Sequence, residues 1–451
     1  MQRDSAEPRV RDFPGERARE FVEYHHRNAA PSTYAFDFVW DRSAPAIGPF
    51  CTDVDGNVLM DFVGHVGAMP LGYNNPKLMD PLAELDLVDP MKIAGQDFYV
   101  TGGPDLPPDV PGPTDLMDRL TDLSSHYDMD RVFLSNTGAE AVENALKISF
   151  DHTRGKDVLT FQGAFHGRTL GTLSLNRSKG VYRRHFPEIA SVHDVPYCDD
   201  SGCDPGSCGC GFFPGSESPS SLRRMLGARD GYVDPEEMAC VVIEPIQGEG
   251  GYRIPSDAFM EELATVCEEY ELPLVVDEVQ SGIGRTGEMW AADHYPIEPD
   301  VIASAKALRV GATISREEVF PEERYRLSST WGAGDILGAA MGALTLDAIE
   351  EYDLLSNATT RGRQMKEILR DADLPGAVDV RGKGLMLAVE WATADRRDAV
   401  VEAGLERGFL TLGCGTKSIR MLPPLDVTPR EIRLGADLLT AAANDAAGPA
   451  A

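Results

Sequence analysis

At 451 residues the chain is long enough for one large domain with a smaller companion, and 42% hydrophobic residues can build a sizeable core. Its 73 acidic residues against 42 Lys plus Arg give a net charge of −31, which argues against nucleic acid or an anionic membrane surface as a partner. No run of ~18 apolar residues occurs and the polar start Met1–Pro8 does not read as a signal peptide, so a cytoplasmic location without a membrane span is expected.

In chain order, residues 1–35 read as a polar arm with a helix near Arg17–His26. Two period-2 pieces follow, Ala35–Trp40 and Pro49–Asp53, and Asp55-Gly56-Asn57 predicts a hairpin turn into Val58–Phe62. Pro81–Leu87 reads as a short helix with Asp80 as its cap, and Thr101–Thr114 as a Gly/Pro-rich loop before a helix at Asp115–Tyr127. Short apolar runs then alternate with helical stretches. The predicted strands are Arg131–Ser135, Asp157–Phe161, Met238–Glu244, Leu272–Asp277 and Asp300–Ala303, and the predicted helices Gly138–Arg154, Ser218–Ala228 and Ser256–Tyr270. Such alternation predicts an α/β fold with a mostly parallel central sheet. Long helices at Ala333–Tyr352 and Ala358–Asp371 lead to a smaller α+β unit, in which Val378–Leu385, Leu387–Trp391, Ala394–Arg407, Ile419–Met421 and Thr428–Asn444 mix strands and helices. The expected division is 1–60 for the arm and part of the small domain, 61–335 for the large domain, and 336–451 for the rest of the small domain.

The acids are dispersed, and nine of the 42 basic residues are lysine, a surface suited to salt-rich solvent and a halophilic source. Eight cysteines in a cytosolic chain read as free thiols or metal ligands before disulfides. Four of them, Cys198-x4-Cys203-x4-Cys208-x-Cys210, fall in an insertion rich in Gly, Asp and Pro, where zinc, an iron–sulfur cluster and unliganded thiols are all open readings.

Two predicted strands end in chemistry. One runs Leu274-Val275-Val276-Asp277 into the glycine-rich Glu278–Gly287, and the next runs Val301–Ala305 into Lys306. Ligands of open α/β sheets sit outside the carboxyl ends of their strands. A carboxylate and an amine placed there suit pyridoxal phosphate, one for the ring nitrogen and one for the aldehyde, while a buried ion pair is the plainer alternative. Ser135–Asn144 leaves backbone N–H groups at a helix start, an anion site or a simple capping box. Gly163–Thr169 places Phe165, His166 and Arg168 on one turn, and Ile243–Gly251 ends a further strand in Glu244 and Glu249 among glycines.

Together SNTGAEAVENA, GAFHGR, EPIQGEGG, DEVQSGIGRTG, Lys306 and Ser329-Thr330-Trp331-Gly332 resemble the class III, fold type I pyridoxal phosphate aminotransferases, which include the 4-aminobutyrate, ornithine, acetylornithine and lysine ε-aminotransferases. The resemblance spans about residues 50–435. It implies that Lys306 is the Schiff-base lysine and proton carrier, and that Asp277 pairs with the ring nitrogen. It further implies Gln280 near the ring oxygen, Val279 beneath the ring, and Phe165 stacked on it with His166 alongside. Gly138 and Ala139 match phosphate-binding amides, and Thr330 the residue that reaches a neighbouring subunit's phosphate, which implies a homodimer. Arg168 matches the holder of a distal carboxylate, and Glu249 with Arg420 a switch that admits an ω-amino donor and then 2-oxoglutarate or glutamate. The implied activity is transamination of a 4-aminobutyrate-, lysine- or ornithine-type donor with 2-oxoglutarate. An amino-acid racemase or aminomutase of the same fold is the alternative, and a metal-binding module on an inactive scaffold a third reading. Ala307–Ala312, where the family commonly has a glycine-rich run, departs toward the lysine ε-aminotransferase branch.

Overall fold

The computed structural model describes residues 1–31, 38–84, 100, 110–188, 191–199, 203–227, 231–330 and 333–447. The chain forms two compact units, Met1–Met79 with Ser356–Ala451, and Asp80–Leu355. These bounds lie about a strand and a helix beyond the expected 60/61 and 335/336. The first shifts because Val58–Asp61 pairs with a strand from the C-terminal part, which keeps the residues after it in the smaller unit. The second shifts because helix Ile336–Glu351 packs on helix Pro113–Leu123 of the larger one.

The smaller unit opens with helix Glu16–Asn28, whose first N–H groups at Arg17 and Ala18 are each held at 2.9 Å by the Asp55 carboxylate. Asp55 belongs to the turn of a hairpin between β1 (Phe50–Thr52) and β2 (Val58–Asp61), where Asp53 accepts the Asn57 N–H at 2.7 Å. Positions 35–37 of the expected strand Ala35–Trp40 lie outside the described residues, and Trp40 forms a single bridge to Asp53. The helix expected at Pro81 begins earlier, at Pro76, and runs to Ala83 with Pro81 inside it. Asn75 rather than Asp80 supplies the cap, its Oδ1 accepting the Lys77 N–H at 3.0 Å. Positions 85–87 of that expectation and 101–109 of the expected loop lie outside the described residues.

The larger unit carries a seven-stranded sheet in the order β3-β9-β8-β7-β6-β4-β5. Its strands are β3 (Arg131–Ser135), β4 (Asp157–Phe161), β5 (Ser191–Val195), β6 (Met238–Ile243), β7 (Leu274–Asp277), β8 (Val301–Ser304) and β9 (Gly311–Ser315). Every residue of β4, β6, β7, β8 and β9 is buried, as expected of strands covered on both faces. Strands β8, β7, β6, β4 and β5 are mutually parallel, whereas β9 runs antiparallel between β3 and β8. Helix Gly138–Thr153 covers one face through Ala141, Val142, Ala145 and Ile148, packed with Val158, Val242, Val275 and Val301.

The connection after β4 leads to β5 on one side, and the connection after β6 leads to β7 on the other. The carboxyl ends of neighbours β4 and β6 therefore form a topological switch point, where such sheets bind ligands. The predicted mixed α/β architecture is thus present, with the sheet mostly parallel.

The chain then completes the smaller unit with β10 (Ala377–Lys383), β11 (Met386–Trp391), β12 (Phe409–Leu410), β13 (Leu412–Cys414) and β14 (Ser418–Met421). β10, β11, β14 and β13 form an antiparallel sheet in that order, and β12 joins β2 in parallel. Helices Ala394–Glu406 and Pro429–Ala447 pack together, and Arg3 fastens the N-terminus to Asp426 and Glu431 at 2.6 and 2.8 Å. Among the described residues no helix is long and apolar enough to cross a membrane.

Candidate active site

The register of β7 on β8 pairs Asp277 with Ala303, so Lys306 follows three residues beyond that pair at the same edge. Lys306 opens a single helical turn, Lys306–Leu308, with φ +44° in the left-handed region. Few residues other than glycine adopt that conformation, and such strain gathers at functional positions.

Asp277 is buried, and its Oδ2 lies 2.8 Å from Nδ1 of His166. Its Oδ1 accepts the Val279 N–H at 3.0 Å. His166 is itself fixed, with Nε2 at 3.4 Å from Thr160 Oγ1 and its N–H donated to Asn176 Oδ1 at 2.7 Å. The strand-end acid is therefore oriented from two sides and keeps lone pairs for a further donor.

Across the switch point, Glu244 accepts the Phe165 N–H at 2.9 Å and the Gly248 N–H at 2.8 Å. One buried carboxylate thus joins the turn that carries Phe165 to the loop that carries Glu249. Burial, with Asp277 adding to it, pushes the Glu244 carboxyl up to about 7 against the opposing pull of His166. Glu278 is pushed up to about 7 by burial while accepting from Ser281 Oγ at 2.6 Å and Ala292 N–H at 2.8 Å.

Two observations bear on whether pyridoxal phosphate suits these residues. A Cβ on Gly138 would stand 2.6 Å from Val279 Cγ1 and 3.4 Å from the Ala305 side chain. Glycine therefore lets the start of helix Gly138–Thr153 close onto the β7 and β8 ends, and Gly138 and Ala139 open that helix. Gln280 Oε1 is buried without a hydrogen-bond partner among the described residues. With the amide turned over, the same position presents an N–H donor suited to a ring oxygen. The residues fit the cofactor on both counts.

The helix start is also a capping box. Thr137 Oγ1 accepts the Glu140 N–H at 3.2 Å, and Glu140 Oε2 accepts the Asn136 N–H at 2.6 Å. Thr330, expected to serve a neighbouring subunit, is exposed and donates to Glu140 Oε1 at 3.2 Å.

Arg168 is exposed, with its guanidinium 5.7 Å from the Phe165 ring centre and 4.7 Å from that of Tyr182. It has no carboxylate partner among the described residues. Phe165 and Tyr182 meet edge to face at 5.4 Å. Glu249 receives Lys179 Nζ at 2.7 Å and Tyr182 OH at 2.8 Å, two contacts that the sequence did not suggest. Arg420 is buried on β14 of the smaller unit, while every other expected cofactor or substrate residue belongs to the larger one.

Thr160, Asn176, Lys179 and Tyr182 were missed as parts of this site, and Glu244 was named as a strand-end acid without a role. For Glu244 a signal existed, since it ends a buried strand as Asp277 does. The others act through neighbours distant in sequence and have no motif of their own. The four cysteines Cys198, Cys203, Cys208 and Cys210 do come together, their sulfurs all lying within 4.8 Å of one another.

A profile of the aminotransferase class-III family matches residues 42–443. An alanine/serine racemase of Pyrococcus horikoshii is 31% identical over 96% of this chain and 91% of its own. An acetylornithine aminotransferase of Methanopyrus kandleri is 32% identical over 92% of this chain and 96% of its own. Among solved structures, a lysine aminotransferase of M. tuberculosis superposes with a TM-score of 0.81 at 28% identity, covering 95% of this chain and 99% of its own. With its site geometry and a match over most of its length, the chain belongs to the class-III aminotransferases, which use pyridoxal phosphate.

Proposed function

We propose that this aminotransferase moves the terminal amino group of an ω-amino acid donor, of the 4-aminobutyrate, lysine or ornithine type, to 2-oxoglutarate. The observation that carries the reading is Asp277 and Lys306 at the ends of neighbouring parallel strands, with buried His166 on Asp277. When bound, pyridoxal phosphate supplies a ring that draws off the electron pair left as the amine-bearing carbon loses its proton.

The protein's own groups do the remainder. Asp277, oriented by His166, would keep the ring nitrogen protonated, and Nζ of Lys306 would anchor the cofactor and carry the proton. Phe165 and Val279 would cover the ring, and Gln280 would donate to the ring oxygen. The N–H groups of Gly138 and Ala139 would hold the phosphate, with Thr330 contributing from the second subunit of a homodimer. Arg168 takes a distal carboxylate, for which its planar fork is suited. Glu249 and Arg420 are each assigned to the choice between donor and acceptor. A cytoplasmic, salt-tolerant protein agrees with the dispersed acids. The clustered cysteines, as a zinc or iron–sulfur site, take no part in this chemistry.

The test is purified protein in high salt with 2-oxoglutarate and a panel of 4-aminobutyrate, ornithine, lysine and β-alanine, read as glutamate formed. Formation with at least one ω-amino donor is expected. The racemase relative favours a second reading, in which Lys306 would return the proton to the other face. Isomerisation of an amino acid without any keto acid, and no glutamate, would replace the first reading with the second.

A further inference from the structure

We propose that Cys198, Cys203, Cys208 and Cys210 bind one zinc ion that locks the segment following β5 onto the core of the larger unit. Their four sulfurs lie within 4.8 Å of one another, with Cys203 and Cys210 at 3.7 Å and Cys208 and Cys210 at 3.1 Å. A zinc–sulfur bond of ~2.3 Å places tetrahedral sulfurs ~3.8 Å apart. Clusters that spread their cysteines over several irons need the sulfurs set wider, so the spacing selects a single ion from the two metal readings of the sequence.

The surroundings already treat two of the sulfurs as acceptors. Ser256 Oγ takes the Phe259 N–H at 3.3 Å, which directs its own proton to Cys198 Sγ at 3.4 Å. Phe213 N–H donates to Cys208 Sγ at 3.3 Å. Donors of this kind orient metal-bound thiolates and offset their charge. Cys198 and Cys203 are buried, where thiolates without a cation would be costly. Each thiol gives its proton to solvent as its sulfur bonds the ion, so no oxidant or reductant takes part. Four sulfurs fill a tetrahedral shell and leave no open position, so the ion is structural.

What the ion would hold is visible on both sides of the four thiols. Beyond Cys210, Phe212 and Phe213 are buried, and Phe212 packs against Phe259 at 4.6 Å between ring centres. Beside Cys198, Asp199 grips Arg253 at 2.6 and 2.9 Å. Arg253 also donates to the Gln162 carbonyl at 3.1 Å and to Gln247 Oε1 at 3.2 Å. Gln162 and Gln247 flank the turn of Phe165 and the loop of Glu249, so the ion stabilises the wall behind both.

The experiment is elemental analysis of the purified full chain, with about one zinc per chain expected. Cobalt(II) in its place should give the visible bands of a tetrahedral thiolate complex. The double variant Cys208→Ser/Cys210→Ser should retain less than about a tenth of the zinc and unfold at a lower temperature. Should that variant fail to fold, the native protein still answers, because titration with a mercurial should release zinc in step with four thiols. Iron with acid-labile sulfide, disulfides among the four cysteines, or metal-free protein whose thiols react at once would each overturn the proposal. None of these readouts depends on amino transfer.

Discussion

The end of β7 and the neighbourhood of Arg168 belong to one unit but are built in opposite ways. Asp277 is hidden, bonded to a buried histidine and a backbone N–H, and its histidine is held in turn by Asn176. Arg168 rests on two aromatic faces and is open to solvent. Under the proposed function, the difference separates what the cofactor demands of any substrate from what one particular substrate demands. A buried, multiply bonded acid has its position fixed before anything binds, whereas a cation on ring faces can swing to meet a carboxylate.

If that contrast is right, damage to the buried end should fall on turnover and damage to the open end on substrate affinity. Lys306→Ala is expected to lower glutamate formation by about 10⁴-fold or more, since it removes both the proposed anchor and the proposed proton carrier. Next, His166→Asn should cost about 10²-fold in kcat with little change in KM, read by steady-state kinetics. An effect of His166→Asn on KM alone would break the contrast. Arg168→Ala should raise KM for a dicarboxylate about tenfold, as expected for one charge-assisted contact, and leave kcat nearly unchanged.

The last effect concerns pH and bears on stability rather than turnover. Glu278 moves from 4.5 when unfolded to about 7 when folded, so the unfolded chain ionises first as pH rises. Its stabilising contribution is complete below the unfolded value and is lost as pH climbs through about 7. Glu278→Gln removes that loss, and its melting temperature relative to the parent should rise between pH 5 and 8 by the equivalent of about 1–3 kcal/mol at most. A flat difference across that range would show that Glu278 stays ionised throughout.

Legibility followed the reach of the interactions. β3, β4 and β6 to β8 announce themselves as apolar runs, and helix Gly138–Thr153 by its cap and periodicity. β5, Ser-Val-His-Asp-Val, is a partly exposed edge strand without an apolar run. β9 is small and hydroxylated, yet wholly buried, because Thr313 and Ser315 donate to the Ala141 and Asp300 carbonyls at 2.8 and 2.7 Å. No local pattern signals partners so far off in sequence. The same holds in the site: Asp277 and Lys306 stand out at strand ends, while Lys179 and Tyr182 meet Glu249 only through the fold.

The reversed direction of β9 bears on how Lys306 can move. A parallel strand would have required a long crossover after β8, but the antiparallel one is reached through residues 305–310, with Arg309 N–H bonded back to Lys306 carbonyl at 3.0 Å. The lysine backbone is thereby clamped between two strands of one sheet. Any travel of its amine therefore comes from rotation about the bonds of its own stem, and under the proposed function the proton it carries would be delivered without moving the strands on either side.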